Sequence, residues 1–254
     1  ALPEEVRSRT AFVETPLGTN EEILKLFTSE VVLETPDADA LTGKRALEDI
    51  KDENGQLVIK SGEKIERETA KKIESLGLAT IRVEDVLLLV EATLEQDPTT
   101  NTKEALLDIY TLLRSFERGG GLRDKTVVFC GDLLRGRTVR SLSYLLTNYP
   151  NVRQLFVAPE PLQVGTDVLA ILEQKGVPFA RTDDFHAAIR EADAVYMTRI
   201  QDEWDNAKGE SAAIDTSRFK FGPAELALLP PRAIIMHPLP RRDEIALAVD
   251  SDPR

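Results

Sequence analysis

The chain has 254 residues, 42% of them apolar, with 44 acidic and 32 basic side chains and a formal net charge of −12. This composition excludes a disordered polyelectrolyte and argues against autonomous nucleic-acid binding, which needs a basic face. One cysteine, Cys130, rules out an internal disulfide and fits a reducing, cytoplasmic compartment. No apolar run near ~18 residues points to a membrane span, and no signal-peptide core follows Ala1.

The first half reads as a mixed α+β domain. Residues 20–28 form a helix opened by Asn20, with Ile23, Leu24 and Phe27 on one face. Residues 43–50 and 56–60 flank Asn54-Gly55, a strong hairpin signal. Residues 66–76 predict a helix stopped by Gly77, and residues 79–83 a strand. Glu63, Glu66, Glu68 and Glu74 read as the solvated face of that helix rather than as paired catalytic carboxylates. Residues 102–116 predict an amphipathic helix capped by Thr102, with Leu106, Ile109, Leu112 and Leu113 as its stripe. Gly119-Gly120-Gly121 then gives a flexible joint. This divides the chain into a segment 1–118, the joint 119–121 and a segment 122–254.

The two segments differ in their cations. The first has 8 Lys and 7 Arg, the second 4 Lys and 13 Arg. Arginine forks suit carboxylate and phosphate, so the second segment hints at anionic small molecules.

The second segment alternates strands and helices. Strands are expected at 126–130, 154–158, 177–180, 194–197 and 233–236. Helices are expected at 136–146, 167–175 and 186–191, with another starting at 243–248. This is the pattern of an α/β, Rossmann-like parallel sheet with helices on both faces, whose ligands bind at the carboxyl ends of the strands.

Three loops leave such ends. Residues 131–138 (GDLLRGRT) join a strand to a helix. Their backbone N–H groups, Arg137 and Thr138 would suit an anion, although a structural glycine turn accounts for them as well. They form neither a Walker A loop nor a dinucleotide fingerprint. Residues 198–201 (TRIQ) offer Arg199 and Gln201. A cation at a helix start invites an anionic partner, the alternative being a plain surface arginine. Residues 237–244 (HPLPRRDE) hold two prolines whose neighbouring carbonyls lack local N–H partners and can accept from an amino group. His237, Pro238 and Arg241 are supporting candidates there. As a lone loop histidine, His237 can equally be structural.

GDLLRGRTVRSL, YMTRIQ and HPLPRRDEIA together resemble the aspartate-binding domain of aspartate carbamoyltransferases, from Leu122 to Arg254. The resemblance implies a transferase of pyrimidine biosynthesis. Arg137 and Arg199 would hold the L-aspartate carboxylates, and Thr138 and Gln201 would orient the same ligand. The Leu239 and Pro240 backbone would meet carbamoyl phosphate. Pro238 favours aspartate over ornithine as amino acceptor. The amine would attack the carbamoyl carbon and expel phosphate, with no cofactor, no metal and no nucleic-acid or membrane partner, in a homo-oligomer. The family's phosphate-binding Ser-Thr-Arg-Thr loop and His-Pro-x-Gln segment are not recognisable, Ser8-Arg9-Thr10 being a chance match. Trp204 stands where the family usually has arginine. A catalytically incomplete, aspartate-binding domain is therefore expected, with no complete catalytic set.

Residues 19–27, 43–77 and 93–114 resemble, in order, a lobe segment of the bacterial RNA polymerase β subunit. That resemblance covers residues 16–114 and implies an interaction module for transcription partners, without polymerase chemistry. A chimeric fusion of two family fragments with no joint function is the third reading.

Overall fold

The computed structural model describes residues 19–86, 90, 93–94, 100–205 and 209–254. Ser8-Arg9-Thr10 and residues 95–99 of the polymerase-like block lie outside these. The chain divides into two compact units, one spanning Gly18–Pro98 and the other holding Thr99–Arg254.

In the first unit, helix α1 (Asn20–Leu26) starts one residue earlier than its sequence implies. Thr19, not Asn20, is the cap. Its hydroxyl accepts from Glu22 N, and the Glu22 carboxylate accepts from Thr19 N at 2.7 Å, closing a capping box. Strands β1 (Thr28–Glu34) and β5 (Thr80–Val86) pair antiparallel, and β2 (Arg45–Ala46) joins the other edge of β5. Helix α2 (Ala38–Leu41) precedes β2. The expected hairpin forms between β3 (Ile50–Lys51) and β4 (Leu57–Ile59). Asp52 stabilises its turn by accepting from Asn54 N and Gln56 N, while Gly55 takes a positive φ. Helix α3 (Arg67–Ser75) lays Ala70 and Ile73 on a core of Leu41, Ile59, Ile65, Ile81 and Val83. Glu63, Glu66, Glu68 and Glu74 are exposed, as expected of a solvated face.

In the second unit, helix α4 (Thr100–Phe116) begins before Thr102, which is buried inside the helix rather than capping it. Helix α4 packs against α5 (Arg137–Leu146) and clusters with the downstream sheet. The break between compact units therefore precedes this helix, upstream of Gly119-Gly120-Gly121. Those glycines make a turn entered through a short 3-10 helix, with φ of +87° at Gly120 and +76° at Gly121.

The sheet has the order β10-β9-β6-β7-β8, all parallel. Its strands are β6 (Thr126–Cys130), β7 (Arg153–Val157), β8 (Phe179–Thr182), β9 (Ala194–Met197) and β10 (Ile234–Met236). Helices α6 (Thr166–Gln174), α7 (Phe185–Arg190) and α8 (Pro223–Leu228) follow in the same unit. Both faces are covered, which explains the unbroken apolar runs of β6 and β9. On one face Val128, Cys130, Leu155, Val157, Val195 and Met197 meet Phe185 and Ile189 of α7, with Phe219 and Phe221. On the other, Phe129 stacks on Phe156 at 5.3 Å and meets Tyr196 edge-on at 5.7 Å. The Tyr196 hydroxyl donates to Asp108 of α4 at 2.7 Å.

The expected helix at 243–248 does not form. Phe221 and Ile245 make a parallel bridge, with Phe221 N donating to Glu244 O and Ala246 N to Phe221 O, and a 3-10 helix follows at Leu247–Ser251. Backbone groups committed to that bridge cannot enter a helical ladder.

Candidate functional site

The strand order fixes where a site can form. From β6 the chain runs outward through β7 and β8, then returns to place β9 and β10 on the other side of β6. The crevice of such a sheet lies where the direction reverses, between β6 and β9. The loops 131–136 and 198–204 leave those two strands side by side. Gly131 shows how closely they approach. It has φ +117°, and a Cβ there would lie 2.1 Å from the Thr198 carbonyl oxygen. Thr198 N in turn donates to Cys130 O at 2.8 Å.

A buried carboxylate staples the two loops. Asp132 Oδ1 accepts from Arg135 N at 3.1 Å, and Oδ2 accepts from Gln201 N at 3.1 Å. Burial pushes the Asp132 carboxyl up, against the pull of these two N–H groups and of the Arg135 charge. The Arg135 guanidinium reaches across to Gln201 O, to Asp205 Oδ1 at 3.0 Å and to Ser211 Oγ at 2.6 Å. The Gln201 backbone is thus clamped on both its N–H and its C=O.

Arg199 also has an in-chain partner. Both its terminal nitrogens donate to the Glu203 carboxylate, Nη1 to Oε2 at 2.8 Å and Nη2 to Oε1. The hydrogen bond from Arg199 holds the Glu203 carboxyl down at about 2. Arg199 does not start an α-helix as expected. Gln201 instead precedes a three-residue 3-10 turn, Asp202–Trp204. This turn supplies one anionic partner of Arg199, the Glu203 carboxylate.

The third loop is braced in the same way. Leu239 N donates to His237 Nδ1 at 2.8 Å, and an accepting Nδ1 requires the ring proton on Nε2, which lies 2.7 Å from Glu244 Oε1. Burial pushes the Glu244 carboxyl up, but hydrogen bonds from His237 and Arg242 N outweigh it and hold the group below its usual range. Arg241 forks onto both oxygens of Asp250, and Arg242 Nη1 reaches Asp202 Oδ1 at 2.9 Å, tying this loop to the second. His237 and Arg241 are therefore used in holding the loop. Pro238 and Pro240 flank Leu239, which keeps φ at +50° and leaves its side chain 52% exposed; the Leu239–Pro240 peptide is cis.

Arg137 differs from the other four arginines of the three loops. It is the first residue of α5, its side chain is exposed, and among the described residues no hydrogen bond or ion pair holds it. Its guanidinium lies over the Trp204 ring, 5.5 Å from the centroid. Thr138 points the other way, beside the Tyr196 hydroxyl. Glu104 on α4 feels the Arg137 charge without closing to an ion pair, and burial keeps its carboxyl raised.

The structure thus puts Arg137 at the first turn of α5 and Arg199, Gln201, Leu239 and Pro240 in loops at the same sheet edge, while Thr138 of α5 is engaged by the Tyr196 hydroxyl. A cavity of about 70 Å³ at that edge is lined by Gly131, Thr198, Ile200, Lys220, Arg242 and Glu244 among others, and by none of those six. No group of three or more His, Cys, Asp or Glu side chains able to hold a metal ion occurs among the described residues. Sequence reading passed over Asp132, Arg135, Asp202 and Glu203. The four-residue spacing of Arg199 and Glu203 was the available signal for one pair. Nothing local marked Asp132, whose partner lies in another loop.

Residues 123–254 match the family model described as aspartate/ornithine carbamoyltransferase, Asp/Orn binding domain. Aspartate carbamoyltransferase 2, chloroplastic, from Pisum sativum is 40% identical over 157 residues, covering 62% of this chain and 40% of that protein. The aspartate carbamoyltransferase catalytic subunit of Vibrio vulnificus is 38% identical over 162 residues, covering 62% and 48%. A solved aspartate transcarbamoylase from Trypanosoma cruzi, in complex with carbamoyl phosphate, is 35% identical with a TM-score of 0.53, over 59% of this chain and 48% of that one. The chain spans less than half the length of each of these relatives. A stretch of 157 residues within 254 cannot begin after residue 98, so the pea match includes helix α4. That helix lies in the third polymerase-like block, and none of these relatives is a polymerase subunit. No helix among the described residues is long and apolar enough to cross a membrane.

Proposed function

The chain belongs to the aspartate/ornithine carbamoyltransferase family, and we propose that residues 123–254 hold L-aspartate by its carboxylates as the amino acceptor for carbamoyl phosphate, in pyrimidine biosynthesis. One observation carries the reading. Of the five arginines in the three loops, Arg135, Arg199, Arg241 and Arg242 pair with carboxylates of the chain, while Arg137 has no such partner among the described residues. A cation at the positive end of a helix is there against the helix dipole. A ligand carboxylate in its fork would remove that conflict.

Arg199 keeps its place beside this position through Glu203, and a guanidinium has five donors, so further N–H groups stay open to a second ligand carboxylate. Gln201, two residues on, has its backbone clamped by Asp132 and Arg135. The backbone carbonyls of Leu239 and Pro240 are the acceptors offered to carbamoyl phosphate, through its carbamoyl NH2. The aspartate amine would form a bond to the carbamoyl carbon as the carbon–oxygen bond to phosphate breaks, and its proton would pass to the departing phosphate. Positioning and stabilisation of the developing oxyanion carry such chemistry.

The test is to supply L-aspartate and carbamoyl phosphate to the purified chain. Titration calorimetry reads binding, and quantified N-carbamoyl-L-aspartate reads turnover, each with Arg137→Ala as control. Saturable binding that disappears in the variant is expected. A wild-type chain with neither heat nor product would overturn the reading.

The first unit has a core of its own, centred on Leu41, Ile65 and Val83.

A further inference from the structure

We propose that Trp204 is a positioning residue for the dicarboxylate site: its indole covers one face of the Arg137 guanidinium and holds the planar fork edge-on to an incoming carboxylate. This rests on the reading of residues 123–254 as an aspartate-binding domain. Arg137 has a long side chain with many rotamers, and among the described residues no in-chain hydrogen bond fixes it. A guanidinium donates hydrogen bonds in its plane and stacks through its face, so the two uses do not compete. The 5.5 Å separation from the ring centroid lies within cation–π range.

The backbone that carries the indole is firmly placed. Trp204 N donates to Gln201 O at 3.0 Å, closing the 3-10 turn. Around it, Asp202 pairs with Arg242, Glu203 with Arg199 and Asp205 with Arg135. Three ion pairs therefore brace the turn that carries one exposed aromatic ring. That ring is 56% exposed, although a large apolar side chain has nothing to gain from water. Covering Arg137 gives its placement a physical purpose. The stack also links the loop after β6 to the loop after β9, so the two proposed carboxylate-binding arginines become parts of one arrangement.

Trp204 is the only tryptophan of the chain, so its fluorescence reports this contact alone. The full chain is titrated with N-(phosphonacetyl)-L-aspartate, the compound bound in one of the Trypanosoma cruzi aspartate transcarbamoylase structures. Calorimetry and Trp204 emission are followed together. Saturable heat is expected, with an emission change of the same midpoint. Trp204→Leu keeps apolar cover without a π face and should weaken binding on the order of three- to tenfold. Trp204→Phe should restore most of the loss, and both variants should melt as the wild type does. If Trp204→Leu binds as tightly as the wild type, the positioning role is overturned while the aspartate-binding reading stands. If the wild type gives no heat, both fall.

Discussion

Asp132 accepts the backbone N–H of Gln201 at 3.1 Å across 69 positions of sequence, and this bond joins the two loops that flank the switch point of the sheet. Its other oxygen accepts from Arg135 N, and the Arg135 guanidinium stands 3.7 Å away. Removing the carboxylate leaves two part-buried donors and a largely buried guanidinium short of an acceptor. Asp132→Ala should therefore cost about 3 kcal/mol of unfolding free energy in urea, and Asp132→Asn, which keeps one acceptor oxygen, about half that. Limited proteolysis should find the 198–213 segment opened in the alanine variant. An alanine variant as stable as the wild type would contradict this view of the staple.

Gly131 is the second constraint on the same seam. An added methyl would lie 2.1 Å from Thr198 O and 2.6 Å from its hydroxyl, at a φ of +117° that L-residues rarely adopt. The obstacle is backbone, which cannot swing aside. Gly131→Ala should destabilise by about 2–4 kcal/mol and separate the two loops. By contrast Gly176, with φ +66° and open space around it, should lose only about 1 kcal/mol on the same change. Chemical denaturation of the two variants side by side checks the contrast.

Local pattern carried the fold and the positions of the loops. Alternating apolar strands and amphipathic helices gave the parallel sheet of the second unit, and Asn54-Gly55 gave the hairpin of the first. Local pattern misled where a long-range partner decides. Residues 243–248 have a helical composition, but the bridge of Ile245 to Phe221 takes their backbone. Thr102 looks like a cap, yet the helix extends past it into the buried layer. In the site, residue type indicated an anion but not which arginines were already paired. The Arg241 and Arg242 partners, Asp250 and Asp202, come from different turns, and only the folded chain brings them together.

Asp108 and Tyr196 make a titratable pair under the sheet. Burial pushes the Asp108 carboxyl up to about 7, against the hydrogen bond it accepts from Tyr196, and Glu104 raises it further. A carboxyl raised on folding binds protons more tightly in the native state. Its contribution to stability is complete below the ordinary carboxylate range and is lost as pH rises toward about 7. Asp108→Asn keeps an acceptor for Tyr196 and removes the titration. The variant should gain stability relative to the wild type between pH 4 and pH 7, by about 4 kcal/mol at the upper end, and the gap should be flat above that. Urea melts at stepped pH measure it. A gap independent of pH would place the carboxyl in its ordinary range.

Arg137 and Arg241 should separate binding from stability. Arg241 forks onto Asp250 at 2.5 and 2.7 Å with both side chains largely covered, anchoring the third loop to the C-terminal 3-10 turn. Arg241→Ala strands that carboxylate, so it should lower the unfolding free energy by about 1–2 kcal/mol. Its effect on L-aspartate affinity should be indirect and small, because the guanidinium is already occupied. Arg137 makes no ion pair among the described residues and lies exposed at the start of α5, so Arg137→Ala should leave the unfolding free energy nearly unchanged. Relief of the helix dipole should even offset the loss of the Trp204 contact. Affinity for L-aspartate should fall by at least about tenfold, the scale of one charge-assisted hydrogen-bonded pair. Urea melts and calorimetric titrations on both variants give the four numbers needed. The crossed result, with Arg241→Ala abolishing binding and Arg137→Ala only destabilising the fold, would move the carboxylate site from the loop after β6 to the loop after β10.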